Sequence, residues 1–264
     1  MRLAAVLIAA ALATPVLAAP LADYTAALQG PQRSAANRAR DVYRHPAETL
    51  AFFGLTPAMT VVEVSPGSGW YTEILAPMLR DHGKLYVAAA DPDAGDGAAK
   101  SVARFKARLT AFPAAFDKVV VTPAGEAGFG RIAPAGSADM VVTFRNVHNW
   151  YIGGYAPRAF AGFATALKRG GVLGIEEHRL PEAMPDALQK TSGYMKRSIV
   201  VKLATDAGFK LVAESPVNAN PKDTHDYPKG VWTLPPTFEE GAKDRARYAA
   251  IGESDRMTLK FVKR

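Results

Sequence analysis

The sequence predicts an α/β fold: a doubly wound, mostly parallel sheet of seven strands with helices on both faces. Short runs rich in Val, Ile and Leu alternate with amphipathic helical patterns, and Gly, Pro and Asp separate them. Strands that alternate with helices favour parallel pairing through right-handed crossovers. The length of 264 residues and the hydrophobic fraction of 48% fit one globular domain with a packed core.

Residues 1–19 are typical of a cleaved secretory signal peptide. Arg2 provides a short positive start, residues 3–12 form an uncharged apolar run, and Ala18 or Ala19 ends a small-residue cleavage site. The apolar run is shorter than the roughly 20 residues that span a bilayer. We therefore expect a periplasmic or secreted protein with no stable membrane insertion.

The composition excludes several kinds of chemistry. The chain has no cysteine, which excludes disulfides, thiol nucleophiles and Cys-ligated zinc. An exported domain without disulfides suits a periplasm, where it relies on its core alone. The formal net charge is +7, but Lys and Arg are scattered rather than clustered, so we expect no nucleic-acid partner.

Two parts follow the signal peptide. The first, residues 20–46, begins as a loose leader and becomes helical over 34–43. The second is the main domain, 47–264, which opens with a short helix over 47–53. Gly54 is expected to end that helix, because glycine is a frequent C-terminal cap.

Strands and helices then alternate to the end of the chain. Apolar, β-branched runs predict strands at 61–64, 85–90, 119–122, 140–144, 172–175, 209–213 and 257–262. Apolar residues at helical spacing predict helices at 71–79, 102–109, 160–167 and 199–207. Pro77 lies inside the first of these helices, where we expect a kink or an early end. The Pro-rich stretch at about 215–256 is too long for a hairpin and is interpreted as a functional or capping insertion.

The segment from Glu63 to Thr72 predicts a ligand-binding turn. An acid near the end of a strand is followed by a loop of small residues and the start of an amphipathic helix. Glycines let the backbone approach a ligand closely, and a helix N-terminus directs free N–H groups at it. A dinucleotide loop requires Gly-x-Gly-x-x-Gly, but the third position here is Thr72, and Trp70 and Tyr71 would crowd a pyrophosphate.

Another pattern fits the same loop better. Glu63, Ser65, Gly67 and Gly69 form an acid-x-small-x-Gly-x-Gly pattern, and Asp91 ends the second predicted strand. This pattern resembles the first motif of class I S-adenosylmethionine-dependent methyltransferases. The Val-Glu-Val-x-Pro-Gly-x-Gly-Trp-Tyr-Thr loop and an Arg-Asn-Val-His-Asn-Trp segment are most similar to a group of predicted exported bacterial methyltransferases. The resemblance covers most of the main domain and implies a Rossmann-like methyltransferase fold whose last strand is antiparallel.

The resemblance also implies S-adenosylmethionine as the cofactor. Gly67 and Gly69 would line its methionine part, and Glu63 would lie near its ammonium group. Asp91 would bind the ribose hydroxyls, and Glu126 would lie near the adenine amino group. The cofactor-binding residues implied in this way are Glu63, Ser65, Gly67, Gly69, Tyr71, Asp91 and Glu126.

Ser65 is a departure from the family pattern, which has glycine at this position, and Pro66 stiffens the loop. Serine is small enough to keep the backbone path if its φ is negative. A positive φ there would mean a strained or altered site.

The segments after the fourth and fifth predicted strands supply the candidate chemistry. The resemblance implies that the loop after the fourth strand lies beside the reactive methyl group. His148 is the candidate general base, since imidazole titrates near neutral pH, and Asn146 is a candidate for orienting an acceptor. Glu177 or His178 is expected to face the same cleft, because neighbours on a strand point to opposite sides. The candidate substrate-contacting residues are Arg145, Asn149, Trp150, Tyr151 and His178.

Structural roles are also open at these positions. His148 can bond to the backbone in a polar cap, Trp150 can be a core residue, and Glu176 and Glu177 can form salt bridges. His148, Glu177 and His178 are metal-ligand types, but the chain has no ligand spacing such as His-Glu-x-x-His. We therefore assign no metal.

The sequence thus predicts an S-adenosylmethionine-dependent methyltransferase that acts on a small-molecule acceptor, with the acceptor and the oligomeric state left open. Because this cofactor is made in the cytosol, the predicted signal peptide favours one alternative. That alternative is an exported, non-catalytic binding protein for a nucleoside or another small molecule on the same fold. A nicotinamide-dependent oxidoreductase is disfavoured by Thr72 and Glu63.

Overall fold

The computed structural model describes residues 21–126 and 129–264, so the predicted signal peptide at 1–19 lies outside the described residues. The strands in these ranges are β1 (Thr60–Val64), β2 (Lys84–Ala90), β3 (Val120–Ala124), β4 (Ala138–Phe144), β5 (Leu167–Leu180), β6 (Met195–Lys196), β7 (Phe209–Ser215) and β8 (Arg256–Lys263). The helices are α1 (Leu21–Gln29), α2 (Ala35–Arg38), α3 (Asp41–Arg44), α4 (Pro46–Phe53), α5 (Thr72–Leu79), α6 (Asp96–Thr110), α7 (Pro113–Phe116), α8 (Val147–Ile152), α9 (Ala156–Ala166), α10 (Arg197–Asp206) and α11 (Arg245–Ile251). Short 3₁₀ turns lie at Pro92–Ala94, Phe129–Arg131, Asp186–Lys190 and Gly230–Thr233.

Seven of the strands form one continuous sheet in the order β3-β2-β1-β4-β5-β8-β7. Strands β1 to β5 pair in parallel, whereas β8 runs antiparallel to both β5 and β7. The short β6 pairs with the end of β5. The predicted seven-stranded, mostly parallel sheet with an antiparallel last strand is therefore confirmed.

The chain changes direction across the sheet at β1. Strands β2 and β3 extend to one side of β1, and β4 and β5 extend to the other. Val64 lies beside Thr143, and Phe144 lies beside Glu176, so the carboxyl ends of β1, β4 and β5 are neighbours. Open α/β sheets bind ligands at such a switch point, outside the carboxyl ends of the strands.

Helices cover both faces of the sheet. Val62, Val64 and Val141 pack with residues of α9 and α10 in one apolar cluster. Val61 and Val142 belong to a second cluster with residues of α1, α4, α5 and α6. Because successive strand residues point to opposite faces and both faces are buried, the central strands read as continuous apolar runs.

The predicted loose leader contributes instead to the core. Residues Leu21–Gln29 form α1, and the fully buried Tyr24 donates a hydrogen bond from its hydroxyl to the carbonyl of Leu55 at 2.9 Å. The predicted helix over 34–43 is divided into α2 and α3, and Ser34 caps α2 by accepting a hydrogen bond from a backbone N–H. The expectation of a loose leader was therefore wrong, because a buried aromatic residue anchors α1.

Helix α5 continues past Pro77 and ends at Leu79. Proline has no N–H, so the carbonyl of Glu73, four residues earlier, loses its helical partner. The side-chain nitrogen of Gln32 replaces that partner by donating to the Glu73 carbonyl at 2.9 Å, and it also lies 3.1 Å from the Ala27 carbonyl. A side chain from outside the helix thus allows proline in its interior.

The late insertion runs over 216–255 between β7 and β8 and carries one 3₁₀ turn and α11. Tyr227, Leu234 and Tyr248 form a small buried cluster within it. Across the described ranges, we find no helix with the length and apolar character needed to traverse a lipid bilayer.

Candidate functional site

The turn after β1 follows a left-handed backbone path at three positions. The φ angles of Ser65, Gly67 and Gly69 are +54°, +58° and +86°. The Ser65 N–H donates to the carbonyl of Ala88 at 2.9 Å, which extends the β1–β2 pairing into the turn. A residue with a Cβ in this region costs about 1–2 kcal/mol, so Ser65 holds a strained conformation at the base of the site.

Two cavities meet at this turn. One has a volume of about 290 Å³ and the other about 340 Å³. They share five lining residues: Ser65, Pro66, Gly67, Asn146 and Asn149. The ends of β1 and β4 therefore form a common wall between two adjoining spaces.

The first space, here called the β2 cavity, is bordered by small and aromatic residues. Besides the shared wall, it is lined by Ala89, Ala90, Ser101, Val102, Phe105, Ala124, Gly125, Phe129, Trp150 and Tyr155. A Cβ built on Gly67 would have no heavy atom within 4 Å, so the missing side chain leaves room in the cavity. Flat apolar walls with an open backbone at one end suit a planar base attached to a polar chain.

Gly69 has a different role from Gly67. A Cβ on Gly69 would lie 3.1 Å from the ring of Phe105 and 3.4 Å from the hydroxyl of Thr72. Gly69 lines neither cavity. It allows Phe105 to pack closely against the turn, and Phe105 in turn forms a wall of the β2 cavity.

The two predicted acids lie beside the cavities without lining them. Glu63 is buried and accepts a hydrogen bond from the Thr72 hydroxyl at 2.6 Å. Burial raises the pKa of Glu63 to about 7, and the bonds from Thr72 only partly oppose this. Asp91 accepts from the Asp93 N–H at 3.1 Å and lies 3.4 Å from a guanidinium nitrogen of Arg131. Its carboxylate therefore caps the turn that follows β2.

Three further residues that the sequence assigns to the site lie away from both cavities. The Tyr71 ring is buried and stacks on Phe144, with ring centroids 3.4 Å apart. Glu126 is exposed and pairs with Arg158 at 2.6 Å. Tyr151 lies under the ammonium group of Lys190, 4.2 Å from its ring centroid.

The second space, here called the arginine cavity, is polar. Besides the shared wall, it is lined by Arg40, Arg44, Ser68, Trp70, Phe144, Arg145, His148, His178, Val231, Trp232, Pro235, Pro236, Thr237, Glu253 and Ser254. The late insertion thus supplies one side of this cavity, and the segment after β4 together with the carboxyl-terminal part of β5 supplies another.

Two imidazoles stand in the arginine cavity with their ring centroids 5.3 Å apart. Nδ1 of His148 lies 2.9 Å from the Glu177 carboxylate, and Nδ1 of His178 lies 2.6 Å from the Ser254 hydroxyl. Burial, followed by the charge effects of His148 and Arg145, holds the pKa of His178 well below its usual value. His178 is therefore a neutral imidazole at physiological pH.

The Asn146 side chain connects the end of β1 to the end of β4 within the shared wall. Its amide nitrogen lies within 3.1–3.3 Å of four acceptors, which are the carbonyls of Val64, Ser65 and Phe144 and the hydroxyl of Thr143. An amide nitrogen has two protons, so its donating capacity is committed to the chain. The amide oxygen is the group that remains for a ligand.

Trp150 and Asn149 complete the segment after β4. Trp150 is buried and packs edge-on against Phe129 and Phe163, and its ring also borders the β2 cavity. Asn149 is exposed and borders both cavities.

His148, Glu177 and His178 place metal-ligand atoms within 4.8 Å of one another. However, the Glu177 carboxylate already accepts from the backbone N–H of His148 at 3.2 Å, from Nδ1 of His148 and from the backbone N–H of His178 at 2.8 Å. Both carboxylate oxygens thus accept hydrogen bonds from the chain, and one of them orients the His148 imidazole, so we do not assign a metal here.

The sequence analysis did not identify Arg40, Arg44 and Glu253 as site residues. The Nε atoms of Arg40 and Arg44 donate to the two oxygens of Glu253 at 2.7 and 2.9 Å. The spacing of four residues between the two arginines is a helical signal that places them on one face. Nothing in the sequence links that face to the ends of β4 and β5.

Comparison with known proteins bears on the fold. No protein-family profile and no curated protein sequence matches the chain. Among solved structures, it is similar to an S-adenosylmethionine-dependent methyltransferase from Aquifex aeolicus, with 18% identity, 75% of this chain and 93% of that chain covered, and a TM-score of 0.54. It is also similar to the [4+2]-cyclase SpnF (16% identity, 89% and 84% covered, TM-score 0.59). A third is the mitomycin 7-O-methyltransferase MmcR (15% identity, 92% and 60% covered, TM-score 0.53).

These comparisons confirm the Rossmann-like methyltransferase fold. At such identities they show the fold alone, and the similar structures carry the names of both methyltransferases and a cyclase. The fold alone does not define the function, which depends on the residues of the site.

Proposed function

We propose that the protein is an S-adenosylmethionine-dependent methyltransferase that acts on a small-molecule acceptor. The observation that carries this proposal is the pair of adjoining cavities at the switch point of the sheet. They share a wall of five residues, Ser65, Pro66, Gly67, Asn146 and Asn149. A transferase moves a group from one ligand to another. It therefore requires two such spaces with a common boundary where the reacting groups meet.

The β2 cavity fits the nucleoside part of this cofactor. Ala89, Ala90 and Gly125 leave a slot beside the aromatic walls Phe105 and Trp150, which suits a purine ring. The open space over Gly67 suits the chain that leads from the ribose towards the shared wall. When bound, S-adenosylmethionine supplies a methyl group activated on a sulfonium sulfur.

His148 is the residue that we assign as general base. Its Nδ1 is held by Glu177, and the imidazole lines the arginine cavity, so Nε2 is the atom that takes the acceptor's proton. A positioned base contributes about 10²–10⁴-fold to such a step. The shared wall and the buried imidazoles orient the acceptor and exclude water, which is the larger part of the protein's contribution.

Titration calorimetry tests the assignment. We expect the purified protein to bind S-adenosylmethionine and S-adenosylhomocysteine, and to bind adenosine more weakly and NAD not at all. A panel of small hydroxyl, amine and thiol compounds should then yield S-adenosylhomocysteine with at least one acceptor. Binding of adenosine alone would favour the non-catalytic binding protein, and binding of NAD would favour the oxidoreductase.

We also propose that the chain is exported and belongs with the predicted exported bacterial methyltransferases. Arg2, the apolar run at 3–12 and the small residues at 16–19 support this. Expression of the full chain in a Gram-negative host, followed by N-terminal sequencing of the periplasmic fraction, should find cleavage after Ala18 or Ala19. A full-length chain that remains in the cytosol would contradict the proposal.

A further inference from the structure

The side chains around the arginine cavity carry more positive than negative charge. Four guanidiniums, from Arg40, Arg44, Arg145 and Arg256, lie against two carboxylates, from Glu176 and Glu253. Both carboxylates are almost fully buried. Counting Glu177, which is bonded to His148, still leaves one positive charge in excess, and the arginines that carry it are only partly open to solvent.

Not all of these guanidiniums are fully used by the protein. Arg256 donates to Glu176 and to the carbonyl of Ser254, and it also contacts the Tyr43 carbonyl. Arg40, by contrast, donates through Nε to Glu253, while its buried Nη2 has no hydrogen-bond partner among the described residues. Arg40 lines the cavity, and Arg256 does not.

The side chains of Arg145 and Arg44 each donate one hydrogen bond to a carboxylate. Arg145 donates from one Nη to Glu176 at 2.8 Å, and its backbone has a φ of +61°. Arg44 lies over the ring of Trp70 at 4.8 Å, and its Nε donates to Glu253. A left-handed conformation at a non-glycine residue is held only where the surroundings fix it, which is typical of functional sites.

The pKa shifts differ between the arginines. The pKa of Arg145 is raised, because burial, which lowers it, is outweighed by the charges of Glu176 and Glu253. Burial lowers the pKa of Arg44 to about 9, and the charge of Arg145 contributes further, whereas Glu253 opposes the shift without cancelling it. The pKa of Glu253 is held at about 2, because its arginine neighbours outweigh the effect of burial. The Glu253 carboxylate is therefore ionised.

We propose that the arginine cavity binds the methyl acceptor through an oxyanion group, a carboxylate or a phosphate, held by Arg40, Arg44 and Arg145. This inference rests on the proposed function. The amino-acid end of S-adenosylmethionine carries one ammonium and one carboxylate, so it does not remove the excess charge, and the sulfonium adds to it. An anionic acceptor does remove it.

The cavity also limits the size of that acceptor. Its volume of about 340 Å³ is near the lower end of the range for small-molecule sites. Trp232 lies beside His148, with ring centroids 6.0 Å apart, and forms an aromatic part of the cavity wall. The acceptor class is thus a small anionic compound whose methyl-accepting group faces His148.

Binding of anion probes tests the inference without requiring turnover. Inorganic phosphate, benzoate and the neutral comparator benzamide are titrated against the full protein by calorimetry and tryptophan fluorescence, with and without saturating S-adenosylhomocysteine. We expect phosphate or benzoate to bind at millimolar concentrations or better, benzamide not to bind, and the anion still to bind when S-adenosylhomocysteine is present. Loss of anion binding in its presence would assign the arginines to the cofactor's own carboxylate and overturn the inference.

Matched variants locate the site. Arg40→Gln should weaken anion binding about tenfold or more, because it removes a charge-assisted donor, and Arg40→Lys should weaken it less. Arg169→Gln removes the same charge from an exposed position near the amino end of β5, away from the carboxyl ends of the strands, and should leave anion binding unchanged. Equal effects of Arg40→Gln and Arg169→Gln would overturn the inference. If S-adenosylhomocysteine binds normally but no anion does, only this inference fails; if anions bind but S-adenosylhomocysteine does not, the proposed function fails.

Discussion

Glu177 binds His148 at two points: its carboxylate accepts hydrogen bonds from imidazole Nδ1 at 2.9 Å and from the backbone N–H at 3.2 Å. A carboxylate only accepts, so Nδ1 carries a proton, and the tautomer that this bond selects for the neutral imidazole has its lone pair on Nε2. His148 lies just after β4 and Glu177 lies within β5, and the register of these adjacent parallel strands fixes the separation of the two residues. The arrangement holds one tautomer and one ring orientation ready for proton transfer.

Replacement of this base should slow methyl transfer without weakening cofactor binding. With a hydroxyl acceptor, His148→Gln should lower kcat by about 10²–10⁴-fold. Glu177→Gln should lower it less, because the amide no longer fixes the tautomer but still fills the space. Turnover with an acceptor from the panel and calorimetry with S-adenosylhomocysteine measure the two effects. His82→Gln, at an exposed histidine before β2, is the control. Full activity of His148→Gln would remove it as the base.

A side chain at Gly67 should block the cofactor. Gly67→Val places a branched group in the open space of the β2 cavity, and we expect the affinity for S-adenosylhomocysteine to fall about 100-fold or more. The backbone strain has a matched control in Gly136→Val, because Gly136 has a φ of +62° and equally open space around its Cβ position. Both variants should lose a similar 1–2 kcal/mol or so of stability. Unchanged affinity in Gly67→Val would reject the assignment of the cavity.

The buried Glu63 should make the protein less stable as the pH rises. Its pKa is about 7 in the folded protein against an ordinary value of 4.5, so between these values the folded state holds a proton that the unfolded chain has lost. Stability therefore falls across this window, by about 3 kcal/mol in total, and stays low above it. Glu63→Gln removes the effect.

Denaturant unfolding near pH 5 and near pH 8 measures this prediction. The advantage of Glu63→Gln over the natural chain should grow by about 2–3 kcal/mol between the two conditions. Glu239→Gln, at an exposed residue, should show no such growth. A pH-independent difference for Glu63→Gln would mean that the carboxyl is ionised in the folded state.

The pair formed by Gln32 and Pro77 can be tested by a double-mutant cycle. Gln32→Ala leaves the Glu73 carbonyl without its donor and should cost about 1–3 kcal/mol of stability. In a Pro77→Ala background the helix supplies its own N–H, so the same Gln32→Ala change should cost less. Equal costs in the two backgrounds would show that the contact to Ala27 dominates instead.

The turn after β1 and the ends of β4 and β5 were predictable because local patterns specify them. Glycines at 67 and 69 mark a left-handed turn, and parallel strands deliver the segments after them to one edge of the sheet. Both His148 and Glu177 were therefore predicted as candidate residues of the same cleft. Their hydrogen bond depends on the strand register, which no local pattern encodes.

The arginine residues of the arginine cavity were not predictable as site residues from local patterns. Arg40 reaches Glu253 across 213 residues of chain, and this contact arises only when α3 packs against the segment before β8. The role of Tyr24 was missed for a similar reason, since its partner is the carbonyl of Leu55 in another segment. Long-range pairing of single side chains has no periodicity to reveal it.

The contacts of the two acids were not predictable from the motif. Glu63 and Asp91 occupy the chain positions that the family pattern assigns, and their carboxylates accept hydrogen bonds from Thr72 and from the N–H of Asp93. A motif fixes where the backbone passes, whereas the direction of a side chain depends on the donors that surround it. The small residues Ala89, Ala90 and Gly125, which no motif singled out, border the β2 cavity directly.

The common wall has a thermodynamic consequence for the order in which ligands bind. Ser65, Gly67 and Asn146 face both spaces, so a molecule in one space alters the surface presented to a molecule in the other. The occupancy of either site must then change the affinity of its neighbour by one and the same factor, whichever ligand arrives first. That factor, measured in both directions, gives the coupling free energy between the two sites that share this turn.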